Sequence, residues 1–155
     1  MEKPVIAEQI RIVPMEFSHL DEIINIEEKS FATPWSRYAF TCELMDNDFA
    51  RYFVLMHDEQ VIGYMGLWVI LDEAHITNVA IHPDYRNRRL GEVLIREVAW
   101  RCQGLGVLRM TLEVRVSNLS AQSLYTRLGF VSAGVRKGYY TDNQEDAIIM
   151  WKELL

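Results

Sequence analysis

The sequence predicts an α/β protein built on one mixed sheet of about six to seven strands with helices on both faces. Three observations predict it. Segments of strand and helix periodicity follow one another in the order β-α-α-β-β-β-α-β-α-β-β. Three consecutive strands are joined by short polar turns, which calls for antiparallel pairing. Later, a strand–helix–strand crossover calls for parallel pairing.

The elements read as follows. Ile10–Met15 is a first strand. Ser18 is placed to cap a helix running to about Glu28, with Leu20, Ile23 and Ile24 on one face and Asp21 at the capping-box position. An aromatic turn, Phe31-Ala32-Thr33-Pro34-Trp35, precedes Ser36, which can cap a second helix to about Asp46. Strands Arg51–Met56 and Val61–Leu71 flank the polar turn His57-Asp58-Glu59-Gln60, and Ala74–Ile81 is the third of the group. The third helix spans about Leu90 to Gln103, with Leu90, Leu94, Val98 and Cys102 at helical spacing and Gly104 past its end. In the strand Val107–Val114, Leu108, Met110, Leu112 and Val114 share one face, and Arg109, Thr111 and Glu113 the other. A fourth helix, about Ala121–Leu128, stops at Gly129, and Phe130–Gly138 and Ala147–Glu153 close the chain as strands around a polar loop.

The chain has 155 residues, 50% hydrophobic and 25% charged, a globular balance with enough apolar material for one core. With no repeat, low-complexity tract or linker-like composition, residues 1–155 are expected to form one domain. Cys42 and Cys102 fall in separate helices, and no Cys/His spacing suggests zinc, so reduced thiols and no metal are expected. Met1–Gln9 lacks the apolar core of a signal peptide, and no apolar stretch approaches the ~18 residues that span a membrane. These features give a cytoplasmic expectation, with no membrane partner. A net charge of −6 argues against nucleic acid as the main partner and suits a basic substrate better. A monomer is the expected state.

The segment Asp84–Gly91 carries the sharpest chemical signal. It follows a strand and opens a helix, where unpaired N–H groups and the positive end of the helix dipole favour phosphate. Gly91 permits close backbone approach, and Arg86, Arg88 and Arg89 add charge-assisted donors. On these residues alone a solvated basic loop is an equal reading. The segment is neither a Walker loop nor a dinucleotide fingerprint, since it has one glycine only.

Here the sequence resembles the GNAT acetyltransferase superfamily, whose signature at this turn is Gln/Arg-x-x-Gly-x-Gly/Ala. Arg86, Leu90 and Gly91 fit, and Tyr85-Arg86 follows His-Pro-Asp as it often does in that family, while Arg89 stands where the middle glycine is expected. Arg89 is therefore expected to adopt a backbone conformation open to a residue with a Cβ, its N–H toward a phosphate and its side chain outward. Ile76–Ile81, Leu112–Asn118, Leu124–Phe130, Gly138-Tyr139-Tyr140 and Glu145–Met150 fall in order. Together they resemble the RimI-type branch, which acetylates the N-terminal alanine of a small-subunit ribosomal protein. The resemblance runs from about Ile10 to Met150.

The resemblance implies acetyl-CoA as acetyl donor. Its pyrophosphate would lie on the backbone of Arg86, Asn87, Arg88, Arg89, Leu90 and Gly91, and its pantetheine arm along Val79, Ala80 and Ile81, with Asn118 bonding that arm. A backbone N–H near Val79 or Ala80 would polarise the thioester carbonyl. Acetyl transfer to an amine also needs a base and a proton for the departing thiolate. The resemblance gives these roles to Glu113, as general base through water, and to Tyr125, as general acid. Spacing alone reads Glu113 as a cross-strand partner of Arg109 or Arg115, Tyr125 as a core tyrosine, and Asn118 or Ser120 as a helix cap. Pro34, Trp35, Tyr139 and Tyr140 would flank the entrance for a peptide N-terminus, with Trp35 equally able to pack beneath the first two helices. Asp142, Glu145 and Asp146 could attract a basic N-terminal sequence. The leading expectation is direct transfer, without a metal, to the N-terminal amine of a protein, most readily a ribosomal protein. A GNAT acting on a small amine or a lysine, and a non-catalytic acyl-CoA-binding module, are the alternatives.

Overall fold

The computed structural model describes residues 2–7 and 9–154; positions 1, 8 and 155 of the expected domain lie outside the described residues. Seven strands form one sheet in the order β1-β2-β3-β4-β5-β7-β6. They are β1 (Ile10–Pro14), β2 (Ala50–His57), β3 (Gln60–Ile70), β4 (Glu73–Ile81), β5 (Arg109–Arg115), β6 (Val131–Tyr140) and β7 (Glu145–Glu153). Four α-helices accompany them among the described residues: α1 (Leu20–Ser30), α2 (Arg37–Asp46), α3 (Leu90–Gly104) and α4 (Leu119–Arg127). The β2–β3–β4 run is antiparallel and β4–β5 is parallel, as the connections require.

Apolar side chains leave the sheet on both sides. On one side Ile62, Leu67, Leu112 and Val114 pack with Leu94 and Val98 of α3 and Tyr125 of α4. On the other, Val54, Val61 and Tyr64 meet Leu20, Ile23 and Ile26 of α1 and Phe40 of α2. Each such side chain, fully buried, contributes about 1.5–3 kcal/mol.

Two helix ends differ from the sequence expectation. Ser18 does not cap α1: it lies inside a 3-10 turn, Phe17–His19, and the reciprocal cap is made by Glu16, whose N–H donates to His19 Nδ1 at 3.0 Å. Met15 still pairs with Tyr52, which keeps the chain extended up to Glu16 and moves the cap two residues earlier. Asp21 instead pairs with Arg37. At the end of α3 the left-handed residue is Gly106 (φ 89°), not Gly104. The Val107 N–H then reaches back to the Cys102 carbonyl at 3.1 Å, closing the helix. Ser36 and Asn118 do cap α2 and α4, each accepting an N–H at 3.1 Å, from Ala39 and Ala121 respectively.

Two irregularities position the site. The parallel pairing of β4 and β5 is confined to Glu73–His75 against Arg109–Thr111, so the strands part beyond that point. In the same stretch β4 carries a bulge: Gly66 faces Asn78 and Leu67 faces Ile76, which leaves Thr77 as the extra residue. Backbone amides of β4 that point toward β5 are therefore unpaired beyond His75.

Candidate active site

The parting of β4 and β5 opens the molecule from two directions. A cleft of about 700 Å³ enters beside the start of α3 and is lined by Val79, Ala80, Ile81, Arg86, Asn87, Arg89, Leu90, Gly91, Asn118 and Tyr125. A second, of about 720 Å³, lies between the α1–α2 loop and the end of β6 and is lined by Trp35, Asn78, Glu113, Tyr125, Tyr139 and Tyr140, among others. Val79, Asn118, Ala121 and Tyr125 line both, so the two clefts meet at the parted strands. Of the residues singled out in the sequence, Pro34, Arg88, Glu145 and Asp146 line neither cleft. Arg88 lies over the Tyr85 ring, 5.2 Å from its centroid, and Pro34 is exposed.

The turn before α3 is shaped by two left-handed residues without glycine's freedom, Asn87 (φ 62°) and Arg89 (φ 60°). Arg89 takes the left-handed geometry that glycine adopts most readily, a small region that is still open to a residue with a Cβ. The first helical bond runs from Val93 N–H to the Arg89 carbonyl, leaving the amides of Leu90, Gly91 and Glu92 without intrahelical acceptors. A Cβ placed on Gly91 would meet Leu124 at 3.4 Å and Ile81 at 3.8 Å, both wall residues of the cleft. A side chain there would fit the protein and fill the cleft, so free amides and open space coincide, as an anionic phosphate requires. Arg86 is partly engaged within the protein, donating from Nε to the Ile81 carbonyl (3.0 Å) and from Nη2 to Ser30 Oγ (2.9 Å).

Glu113 projects from the polar face of β5, its side chain 10% exposed. Neither Arg109 nor Arg115 is its partner. His75 Nε2 lies 2.5 Å from Oε2, and Arg136 Nε lies 3.5 Å from Oε1. Burial works to raise the carboxyl's pKa, but the hydrogen bond and charge of His75, with the charge of Arg136, outweigh it and hold the group below the usual carboxylate range. Tyr125 is buried at the junction of the clefts, and burial, assisted by Tyr140, pushes its phenol above the ordinary value; no hydrogen bond contributes to that shift. Tyr125 therefore stays protonated at neutral pH.

The second cleft is framed by two loops. Trp35 is half-buried: its ring lies 5.4 Å from Phe40, and its backbone N–H donates to Glu27 Oε2 at 2.8 Å. Trp35 thus packs on α2 and lines the cleft at once. Tyr139 and Tyr140 meet edge to face at 5.1 Å, and the Arg115 guanidinium lies 3.9 Å from the Tyr140 centroid. The acidic residues nearby are largely engaged in holding the hairpin. Asp142 and Glu145 pair with Arg115 at 2.9 and 3.2 Å, and Asp146 accepts the Gly138 N–H at 2.9 Å. Thr33 reaches Asp142 at 3.5 Å, linking the two loops across the mouth.

Sequence reasoning missed two residues. His75 sits two positions before Glu113 in the β4–β5 register, and parallel pairing without that register does not bring the two together. Glu27, 1% exposed, receives Tyr64 OH, the Trp35 N–H and Asn78 Nδ2, and the helical pattern hid it on a face shared with Ile23 and Ile26. Among the described residues no group of three or more His, Cys, Asp or Glu could hold a metal ion. No described helix is long and apolar enough to cross a membrane.

Comparison with known proteins bears on the same region. The family model described as "Acetyltransferase (GNAT) family" matches residues 20–130. A Bacillus subtilis (strain 168) protein provisionally named a ribosomal protein bS18-alanine N-acetyltransferase is 46% identical over 137 residues, covering 88% of this chain and 91% of the relative. The Escherichia coli (strain K12) ribosomal protein bS18-alanine N-acetyltransferase is 38% identical over 143 residues, covering 90% and 94%. The crystal structure of the ribosomal-protein-S18-alanine N-acetyltransferase from Escherichia coli superposes with a TM-score of 0.85 at 35% identity, over 94% of each chain.

Proposed function

The chain belongs to the acetyltransferase (GNAT) family, and from that premise we propose that it transfers the acetyl group of acetyl-CoA directly to the N-terminal amine of a protein. The acceptor we propose is the N-terminal alanine of ribosomal protein bS18, for which the relatives are named. One observation carries the direct route: the two clefts meet at Tyr125, so donor and acceptor can each occupy one cleft and react in one ternary complex. Residues 1–155 act as one domain in this reading, supported by the single sheet, and the setting is the cytoplasm, where ribosomal proteins are made.

In this reading the amides at the start of α3 hold the pyrophosphate, and Asn118 and β4 align the pantetheine arm. Glu113, reached from the acceptor cleft, takes a proton from the incoming α-ammonium, directly or through water, because an amine with a pKa near 8 is largely protonated at neutral pH. The free amine attacks the thioester carbon. An unpaired β4 amide near Val79 or Ala80 stabilises the oxyanion. As the carbon–sulfur bond breaks, Tyr125 gives its phenolic proton to the thiolate. Trp35, Tyr139 and Tyr140 confine the peptide's first residues.

The test offers two peptides and acetyl-CoA to the purified protein: one with a free N-terminal alanine and acetylated lysines, the other with a blocked N-terminus and free lysines. Release of CoA with the first alone is expected. Release with the second alone would overturn the reading in favour of side-chain acetylation.

A further inference from the structure

Glu113 is one half of a pair. His75 stands on the last rung where β4 and β5 remain joined, opposite Thr111, and Glu113 lies two residues further along β5 on the same face. The imidazole thus bridges to the carboxylate where the strands begin to part. Trp68 of β3 supports it from the other side, its ring perpendicular at 90° and 6.1 Å away, and Trp68 is anchored by donating Nε1–H to Glu43 of α2 at 2.9 Å. His75 lines neither cleft, whereas Glu113 lines the acceptor cleft. The imidazole side chain is 33% exposed against 10% for the carboxylate, so it exchanges protons with solvent more readily.

The groups around this pair come from five strands and helices. Glu113 faces the imidazole from β5; Arg136 and Tyr139 of β6 flank that carboxylate. Glu43 of α2 lies behind Trp68, and Glu73, two residues earlier on β4, is paired with Arg109. Arginine keeps its charge at any working pH, and histidine is the side-chain type whose ordinary charge change falls near neutrality. At 2.5 Å from a carboxylate oxygen, Nε2 must carry a proton, since two lone pairs would repel. The variable site is Nδ1. With Nδ1 bare, the neutral ring is a donor that fixes the carboxylate's direction. With Nδ1 protonated, the imidazolium pairs with the carboxylate and weakens it as a proton acceptor.

We propose that His75 is a positioning residue that switches Glu113: its neutral Nε2–H form aims the carboxylate into the acceptor cleft, and its imidazolium form disarms it. The proton on Nδ1 comes from water and returns to it, and no other bond changes. The inference rests on the reading of Glu113 as the base.

The test is the pH dependence of kcat/KM between pH 5 and 9 with an alanine-starting peptide, for the wild type, His75→Gln, His75→Ala and Glu113→Gln. Glutamine keeps an N–H donor and cannot be charged. The acceptor amine must lose one proton in every protein, so below about pH 6 the logarithmic slope is about two for the wild type and about one for His75→Gln. At pH 8.5 His75→Gln stays within a few-fold of the wild type, while His75→Ala falls by about tenfold, the loss of an orienting contact. Equal slopes in the wild type and His75→Gln would overturn the proposal. Glu113→Gln separates the two claims: an inactive Glu113→Gln with equal slopes removes only the role of His75, and an active one removes the base assignment as well. Nitrogen NMR of the wild type gives an independent reading, with Nε2 protonated throughout and Nδ1 titrating. An Nδ1–H tautomer at pH 8 would also overturn the proposal.

Discussion

Tyr125 combines a buried ring with a hydroxyl that no hydrogen bond perturbs, which separates its chemistry from its packing. Tyr125→Phe is expected to lower kcat by about 10²-fold, the usual contribution of a positioned general acid, and to leave the thermal midpoint unchanged. Steady-state CoA release and a thermal melt on the same sample check both halves. The raised phenol pKa adds that no loss of activity below pH 10 comes from Tyr125 deprotonation. Arg89 poses a different residue-scale question, because its left-handed backbone (φ 60°) sits where a glycine would be relaxed. Arg89→Gly exchanges a conformational cost of about 1–2 kcal/mol for glycine's chain entropy of about 0.5–1 kcal/mol. It should therefore be neutral to slightly stabilising in a denaturant titration. Arg89→Val, β-branched in the same conformation, should be destabilised by about 1 kcal/mol or more. Tighter folding of the valine variant would contradict the geometry.

At the scale of elements, α1 and the loop after it are tied together by one buried carboxylate. Glu27 receives the Trp35 N–H, Asn78 Nδ2 and the Tyr64 hydroxyl, so Glu27→Ala strands buried donors from a loop, β4 and β3 at once. A loss of about 3 kcal/mol is expected in urea unfolding, with Glu27→Gln intermediate. The β6–β7 hairpin depends on Glu145, whose carboxylate accepts the Ser117 N–H at 2.7 Å and pairs with Arg115. The Ser117 bonds foremost hold its pKa down to about 2. A depressed folded value means that its contribution is full above the ordinary carboxylate value of about 4.3 and is lost as the pH falls toward about 2. Wild type and Glu145→Gln should therefore differ in thermal midpoint at pH 6 and converge as the pH is lowered through that window.

The elements themselves were legible where periodicity was strong. The alternation of β5 between Met110, Leu112, Val114 and Arg109, Thr111, Glu113 reads straight from the chain and matches its burial. Helix ends were less legible, because Glu16 and Ser18 compete for one helix start and Gly104 and Gly106 for one helix stop. Only the tertiary course of the chain, with Met15 still paired to Tyr52, decides the first case.

The whole molecule is organised by a sheet that fails to close: β4 and β5 share three residues of pairing and then part, which joins two clefts at Tyr125. The order of strands and the crossover that makes this pair parallel were readable in sequence. The partner of Glu113 was not, since it depends on the register between strands separated by an entire helix. Arg109 and Arg115, its neighbours in sequence, instead serve Glu153 and the Asp142–Glu145 loop. The central claim is that the joined clefts deliver acetyl to a protein's N-terminal alanine. Tandem mass spectrometry of full-length ribosomal protein bS18, bearing a free N-terminal alanine and incubated with the enzyme and acetyl-CoA, tests this most directly. One added acetyl group, located on the α-amine, is the expected result. Acetyl groups on lysine side chains with the N-terminus left free would contradict it.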